Sequence, residues 1–343
     1  MKKYILDLSI SQLKNNLKHF VKQDYRIEQI LEWIYVKKAT TFDECSNLPK
    51  GLRDTLDANF LLHSLTILKK EKSAIDGSVR YTFKASDNRR FFAVFLPSKK
   101  TNSICISSQV GCPVACSFCY SGKTRFIRNL TKGEIVEQIL LVENDMKETI
   151  TGVLFMGMGE PFLNLENVLP ALTTIMSKKQ LNIGKRHITL STVGLVGGIK
   201  KVLEKNLGIR LAISLHAVDE KQRKKLIPNN LGFSISEIML AAKSYLKNTN
   251  ARITIEFILI KDINDSSATA HKLARLLRKF GFLTPSAQIN LIPFNPIEKS
   301  TFLPPTQIVV DRFKNILKMN GFIVNVRKAK GTDIGAACGQ LGL

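Results

Sequence analysis

The 343-residue sequence predicts an α/β fold built on a parallel sheet. From Ile104 onward, short apolar runs typical of strands alternate with longer runs of helical periodicity. Six such β/α repeats can form an open sheet or a partial barrel, and both arrangements bind ligands at the carboxyl ends of the strands. The predicted strands are Cys105–Ser108, Val153–Met156, His187–Leu190, Leu211–Leu215, Ile253–Ile260 and Gln288–Ile292.

The runs between these strands have apolar residues at three- and four-residue spacing, which predicts helices. The predicted helices are Lys132–Val142, Leu165–Met176, Ser234–Leu246 and Ser266–Phe280. A last helix from about Thr306 to Met319 and a strand over Phe322–Val326 lead into a tail that is rich in glycine and alanine and carries Cys338.

The N-terminal quarter has a different pattern. Its first 75 residues show helical periodicity, and two strands, Val79–Lys84 and Arg90–Leu96, then flank a turn at Ser86–Arg89. We therefore expect a helical accessory domain over residues 1–75, a β-hairpin extension over 76–97, the core barrel over 98–333 and a tail over 334–343.

Polar residues follow the predicted strands at the positions where a parallel sheet binds its ligands. Gly159 and Glu160 follow the second strand, Ser191 the third and Asn295 the sixth. Ser214 and His216 stand at the end of the fourth. Each one alone is more often a turn or packing residue, so their common placement is what indicates a site.

The chain is strongly basic. Lys and Arg outnumber Asp and Glu by 51 to 28, which gives a formal charge of +23. A charge of this size favours a polyanionic partner, above all nucleic acid, over a membrane surface or a generally basic proteome. Candidate phosphate-contacting groups are Lys69-Lys70, Arg89-Arg90, Lys99-Lys100, Lys178-Lys179, Lys200-Lys201, Arg223-Lys224-Lys225 and Arg327-Lys328. The sequence shows neither a membrane span nor a signal peptide, so we expect a cytoplasmic protein with no membrane partner.

Three cysteines form the most informative motif. Cys112, Cys116 and Cys119 stand in a C-x3-C-x2-C loop after a strand-like run. Thiolates suit iron–sulfur clusters, and three of them would leave one iron of a 4Fe-4S cluster open to a substrate. Structural zinc needs a fourth N or S ligand, which no neighbouring residue offers, and a disulfide framework is typical of small secreted domains. An open-site 4Fe-4S cluster is therefore the favoured interpretation.

Further motifs surround this loop in a fixed order. They are CISSQVGC at 105–112, MGMGEP at 156–161, SLHA at 214–217, LIPFNP at 291–296, and Asp333-Ile334 followed by AACGQL at 336–341. With them the sequence resembles the radical S-adenosylmethionine superfamily, and within it the RlmN/Cfr family of RNA adenine methyltransferases. The N-terminal stretch DYRIEQILEWIY resembles the helical, RNA-binding accessory domain of that family. Glu160-Pro161 favours the RlmN type.

The resemblance implies a radical-SAM barrel that uses a 4Fe-4S cluster and two molecules of S-adenosylmethionine per turnover. Cys338 would accept a methyl group from the first molecule, and a radical made from the second would activate that methyl for addition to an adenine ring carbon. Cys105 would then attack the Cys338 sulfur and release the product through a disulfide. The implied substrate is an adenosine of 23S rRNA and of certain tRNAs, methylated at C2. A flavodoxin or ferredoxin would act as reductant, and the enzyme would be a monomer.

The resemblance also assigns residues to roles. Cys112, Cys116 and Cys119 would bind the cluster, and Cys338 and Cys105 would be catalytic. The residues expected to bind S-adenosylmethionine are Gly159, Glu160, Ser191, Ser214, Leu215, His216 and Asn295.

One position departs from the family pattern. The family normally has a glutamate thirteen residues before Cys105, proposed to accept the substrate proton, and this chain has Phe92 there. Either a different base operates here, or the chain is a divergent paralogue with altered substrate or weakened activity. The alternatives to C2 methylation are Cfr-like methylation at C8, an RNA-binding paralogue with impaired catalysis, which Phe92 motivates, and a radical enzyme for a small molecule. The net charge and Cys338 argue against the last.

Overall fold

A computed structural model describes residues 2–21, 23–99, 101–229, 232–283 and 285–342. In this part of the chain, eleven α-helices are present. They are α1 Ile10–Leu17, α2 Asp24–Tyr35, α3 Lys50–Asn59, α4 Tyr120–Lys123, α5 Lys132–Met146, α6 Leu165–Met176, α7 Val196–Glu204, α8 Glu220–Leu226, α9 Ile235–Asn248, α10 Ser267–Lys279 and α11 Gln307–Met319.

A ten-stranded sheet forms the centre of the described structure. Its strands are β1 Leu65–Lys72, β2 Val79–Ala85, β3 Arg90–Leu96, β4 Ser103–Cys105, β5 Gly152–Phe155, β6 Ile188–Thr192, β7 Arg210–Ser214, β8 Ile253–Leu259, β9 Ala287–Pro293 and β10 Ile323–Val326. Two short pairs lie outside the sheet: Lys3–Tyr4 with Phe60–Leu61, and Gln109–Val110 with Arg128–Asn129.

The strands lie side by side in the order in which the chain forms them. Strands β1 to β4 pair antiparallel, and β4 to β10 pair parallel. The six predicted β/α strands are thus present, and β10 extends them by a seventh. Because all parallel strands end at one edge, the loops that follow them meet there. This confirms the predicted α/β partial barrel.

The hairpin predicted around residues 86–89 is present, since β2 and β3 pair antiparallel with Lys84 opposite Arg90. One strand of the ten-stranded sheet was missed. Residues 65–72 fall within the stretch predicted to be helical, and they form β1, which pairs with β2. Its sequence, LTILKKEK, is mostly exposed and alternates only weakly, so it lacks the pattern that reveals a half-buried strand.

One buried carboxylate is among the contacts that attach the N-terminal region to the barrel. Glu137, in the interior of α5, accepts hydrogen bonds from the Tyr4 hydroxyl and from the backbone amides of Ser64 and Leu65. His63 Nδ1 lies 2.9 Å from the same carboxylate. A charge buried this deeply needs such partners, so Glu137 fixes the position of the N-terminal region on the barrel.

No helix in the described ranges is long and apolar enough to span a membrane.

Candidate active site

The cysteine loop lies between Val110 and α4, at the carboxyl edge of the sheet. The chain enters this loop at Gly111, which has φ +77°. Only glycine fits there, because a Cβ would stand 2.2 Å from the Arg125 carbonyl oxygen. The loop is held from outside by the Leu226 carbonyl, which accepts from the Ser117 amide at 3.0 Å, and by Asn229, whose Nδ2 donates to the Pro113 carbonyl at 2.9 Å.

The three thiols of this loop influence one another's ionisation. Burial raises the pKa of Cys112 to about 12 and that of Cys116 well above its usual range, where Cys119 and Cys112 add repulsion. Burial also raises the pKa of Cys119. Thiols that repel one another as thiolates, in a buried site, are stabilised by a cationic group that binds all three. A 4Fe-4S cluster provides such a group and gives each thiolate its own iron. Among the described residues, no three His, Cys, Asp or Glu side chains could hold one shared metal ion.

A cavity of about 160 Å³, which we call the cysteine cavity, opens onto this loop. Most of the residues predicted to bind S-adenosylmethionine line it: Gly159, Glu160, Ser191, Ser214 and His216. Leu215 does not. It is fully buried, and its amide donates to the Glu256 carbonyl at 3.1 Å.

Glu160 is a buried carboxyl group beside this cavity. Its two oxygens accept from the backbone amides of Phe162 at 3.1 Å and Val193 at 2.8 Å. Burial nevertheless raises its pKa to about 7, so the group gains from a nearby cation such as a ligand ammonium. The preceding Gly159 has φ +101°, and a Cβ there would stand 2.6 Å from the Gln109 Cβ. The MGMGEP turn therefore needs glycine to bring its backbone close to the loop.

His216 lines the same cavity with an uncharged imidazole ring. Its Nδ1 accepts from the Ile258 amide at 3.0 Å, which places the proton on Nε2, and burial lowers its pKa to about 3. Its ring packs edge-on against Phe118 at 4.9 Å, within the cysteine loop.

A second cavity of about 390 Å³ adjoins the first, and we call it the tail cavity. Cys105 and Asn295 line it, and Cys338 lines both cavities. Asn295 was predicted to bind S-adenosylmethionine, and in this structure its Nδ2 donates to the Cys338 carbonyl at 2.9 Å. Burial raises the pKa of Cys105 to about 12, with a further contribution from the nearby Cys338. All six cysteines are free, so no disulfide joins Cys105 to Cys338 in this structure.

Sequence reasoning placed Arg327 among the candidate phosphate contacts and missed its position within the site. It follows β10 directly, lines both cavities, and its Nη1 lies 3.3 Å from Met156 Sδ and 3.4 Å from Glu256 Oε2. Cys338 and then Glu256 act to raise its pKa, against the opposing effect of burial. The rule that polar residues at parallel strand ends form the site would have selected it, had β10 been counted among the parallel strands.

Arg223 is also misplaced by the sequence reading. Its side chain is fully buried, and Nη2 donates to the Val193 carbonyl while Nε and Nη1 have no partner in the described part of the chain. Burial lowers its pKa to about 10, and the nearby Cys116 opposes this effect. Arg223 is therefore an interior residue, and its prediction as a phosphate contact on the surface is wrong. Arg327 is partly buried, with 27% of its side chain exposed, and lies in the cavity walls rather than on the outer surface. Of the remaining predicted basic groups, the described residues are exposed, and Lys100 lies outside the described residues.

Phe92 lies on β3, buried to 3% exposure and lining neither cavity. The Arg80 guanidinium stands 5.5 Å from its ring. Val94, two residues on, does line the tail cavity and pairs with Cys105. Position 92 therefore stands on the same face of β3 as the wall of the site, one step from it.

Comparison with known proteins agrees with this geometry. Residues 106–274 match the radical SAM superfamily, and residues 4–62 match the ribosomal RNA large subunit methyltransferase N-terminal domain. A probable dual-specificity RNA methyltransferase RlmN from Endomicrobium trichonymphae is 58% identical, over 99% of this chain and 97% of that protein. A protein of the same name from Thermotoga maritima is 43% identical, over 99% of this chain and 98% of its own length.

This chain belongs to the RlmN family of radical SAM methyltransferases. The fold agrees as well: the crystal structure of a radical SAM methyltransferase from Sphaerobacter thermophilus superimposes with a TM-score of 0.93 at 36% identity, over 99% of both chains. As a radical SAM enzyme of the RlmN family, the protein uses a 4Fe-4S cluster and S-adenosylmethionine. The buried thiol triplet and the adjoining cavity fit these two groups.

Proposed function

We propose that this RlmN-family enzyme methylates C2 of an adenosine in 23S rRNA, with a tRNA as second substrate, in the cytoplasm. The single observation that carries the proposal is that Cys338 lines both cavities at once. One thiol can then receive a methyl group on the side of the cysteine loop and present it on the side of the tail cavity. The names of the relatives, dual-specificity RNA methyltransferases, support two RNA substrates.

Each residue of the site has a part in this scheme. Cys112, Cys116 and Cys119 would hold the cluster, which supplies the electron for reductive cleavage of S-adenosylmethionine. Glu160 would pair with the cofactor's ammonium group, and Gly159, Ser191, Ser214 and His216 would line its site, with the Leu215 backbone beside them.

Two thiols would carry out the remaining chemistry. Cys338 sulfur would attack the methyl carbon of the first S-adenosylmethionine, and S-adenosylhomocysteine would leave. The 5′-deoxyadenosyl radical made from the second molecule would take a hydrogen atom from this methyl group, and the methylene radical formed would add to the ring carbon. The adduct would then lose the proton of that carbon to a base and return one electron to the cluster. Cys105 thiolate would attack the Cys338 sulfur, and the electron pair of the broken C–S bond would stay with the carbon, which takes up a proton to become the product methyl. Cys105 needs help because its pKa is near 12, and Arg327 is the cation that lowers it.

RNA is the substrate that best explains the charge. The chain carries +23, and exposed lysines and arginines recur over much of its length. A ring carbon of adenine can be reached only when the base is unstacked, so the target nucleotide would be extruded into the tail cavity. That cavity also contains Lys328 and Lys330, which can contact the phosphates beside the extruded base.

Nucleoside analysis tests the proposal. RNA from cells with and without the gene is digested, and 2-methyladenosine is separated from 8-methyladenosine before mass spectrometry. We expect 2-methyladenosine in both rRNA and tRNA to disappear with the gene. Loss of 8-methyladenosine instead would mean Cfr-like chemistry, and no change in either nucleoside would favour an RNA-binding paralogue.

A further inference from the structure

The tail that carries Cys338 is held from two sides. On the barrel side, the Tyr120 amide donates to the Gly339 carbonyl at 2.7 Å, and Gln340 Nε2 donates to the Pro296 carbonyl at 2.8 Å. Together with the contact of Asn295 to Cys338, these bonds fix the residues around and after the thiol. They come from the cysteine loop and from the loop after β9.

The other side is unexpected, because it comes from the antiparallel extension. The turn between β1 and β2, residues 73–78, reaches the segment that precedes Cys338. Asp333 accepts from the Ser73 hydroxyl at 2.7 Å and from the Ala74 amide at 2.9 Å. Asp76, on the turn, accepts from the Gly331 amide at 2.8 Å. The tail carboxylate, Asp333, therefore accepts from the turn, and the turn carboxylate, Asp76, accepts from the tail.

A third contact lies closer to the thiol along the chain. Arg80 on β2 forms an ion pair with Glu71 on β1 at 2.7 Å, and its Nη1 lies 3.4 Å from the Gly335 carbonyl oxygen, three residues before Cys338. Gly331 and Gly335 have φ near +64° and +62°, so the backbone turns sharply at both ends of the segment 331–335. These turns bring Ala336, Ala337 and Cys338 into the wall of the tail cavity.

We propose that the 73–78 turn is a latch that positions Cys338 between the two cavities, with Asp333 and Asp76 as positioning residues. The inference rests on the proposed function of Cys338 as methyl carrier. A thiol that must meet a methyl donor on one side and a nucleotide on the other has to stand at one place, and a displacement of about 1 Å can cost a hundredfold in rate. The barrel-side bonds described above act on residues 338–340, whereas the latch binds residues 331 and 333, before the thiol.

The latch also explains a feature that catalysis alone does not. The β1–β2 hairpin lines neither cavity, yet its turn supplies hydrogen bonds to a segment more than 250 residues away in sequence. Its role is then to hold the tail, in addition to extending the sheet.

Variants of the full-length enzyme with its cluster bound test the latch. Asp333→Ala removes both acceptors, Asp333→Asn keeps an amide oxygen for Ser73, and Asp76→Asn alters the second contact. Asp87→Asn is the matched control, because Asp87 stands on the other turn of the same antiparallel strands, where it pairs with Arg128 and does not touch the tail. Three quantities are measured: hydrogen exchange of amides 331–341, iron content, and the single-turnover rate of Cys338 methylation by S-adenosylmethionine.

We expect exchange to rise about fivefold in Asp333→Ala and less in Asp333→Asn, since each lost hydrogen bond to a charged group is partly replaced by water. Cys338 methylation should slow by a similar factor, while iron content and affinity for S-adenosylmethionine stay at wild-type values. Unchanged exchange in both Asp333→Ala and Asp76→Asn would overturn the latch, and so would faster exchange without slower methylation. Failure of the proposed function would look different: the wild-type Cys338 would take up no methyl group, while the exchange data would still decide whether the turn holds the tail.

Discussion

Replacing Arg327 by methionine tests the electrostatics at the centre of the site. Its guanidinium pairs with Glu256, whose side chain is 3% exposed, while that of Arg327 is 27% exposed. Removing one partner of a buried ion pair costs about 3–5 kcal/mol, because the other charge is left uncompensated. The partial exposure of Arg327, the 3.4 Å separation and the second contact of Glu256, from Asn290 Nδ2 at 2.8 Å, reduce this figure. We expect Arg327→Met to lower the free energy of unfolding in urea by about 2–3 kcal/mol.

The double variant Arg327→Met/Glu256→Gln separates the charge effect from lost packing. Glutamine keeps an oxygen for Asn290 and removes the unpaired charge, so the double variant should regain at least about 1 kcal/mol over Arg327→Met. Lys328→Met, at the exposed neighbouring position, should change stability by less than about 0.5 kcal/mol. An Arg327→Met enzyme as stable as the wild type, or a double variant no more stable than the single one, would refute this account of the pair.

The same variant should affect the chemistry. Without the Arg327 charge, the pKa of the Cys105 thiol rises further above its already high value near 12. In the proposed scheme, release of product depends on a Cys105 thiolate, so turnover should slow and the bond between Cys338 and RNA should persist. Release that is as fast in Arg327→Met as in the wild type would show that the thiolate is stabilised by another group.

Three further outcomes follow from the site and the charge. Cys112→Ala, Cys116→Ala or Cys119→Ala should each abolish the brown 4Fe-4S chromophore, because each would remove one of the three proposed protein ligands; full iron loading in any of them would contradict the assignment. Affinity for an rRNA fragment should fall with salt with a log–log slope of about −0.7 per neutralised phosphate, and a salt-independent affinity would mean that the basic surface does not contact RNA. With Phe92 in place of the family's glutamate, we expect the wild-type enzyme to turn over slowly and to accumulate the Cys338–RNA adduct. Phe92→Glu should then speed product release by up to ~10²–10⁴-fold relative to Phe92→Gln, since general-base help has this size; a wild-type enzyme that turns over rapidly without adduct, with no gain from glutamate, would show that another base operates.

Local sequence patterns predicted the sheet and much of the site because the relevant signals are local. Ser191 and Ser214 lie at the carboxyl ends of β6 and β7, and Glu160 follows β5. In a parallel sheet these ends must meet, so the convergence of the three residues follows from topology alone. The cysteine loop is recognised from the C-x3-C-x2-C spacing of its own residues. Both predictions needed no knowledge of which distant residues touch.

The residues that were misjudged depend on long-range packing. Arg223 and Arg327 were grouped with neighbouring lysines as surface charge, because a run of basic residues does not show which member turns inward. Arg223 is fully buried beside the cysteine loop, and Arg327 pairs with Glu256 from another strand. The latch formed by Asp333 and the 73–78 turn joins segments whose proximity no local pattern encodes.

The central claim, that Cys338 carries the methyl carbon to RNA and Cys105 releases it, is tested most directly in the Cys105→Ala variant. The variant is reduced anaerobically with S-adenosylmethionine and substrate RNA, digested with nuclease and trypsin, and the Cys338 peptide is weighed by mass spectrometry. The account predicts a peptide joined through one added carbon to an adenosine, which accumulates because the releasing thiol is absent. A Cys338 peptide that carries only a methyl group or no modification, in a variant that still produces methylated RNA, would contradict it.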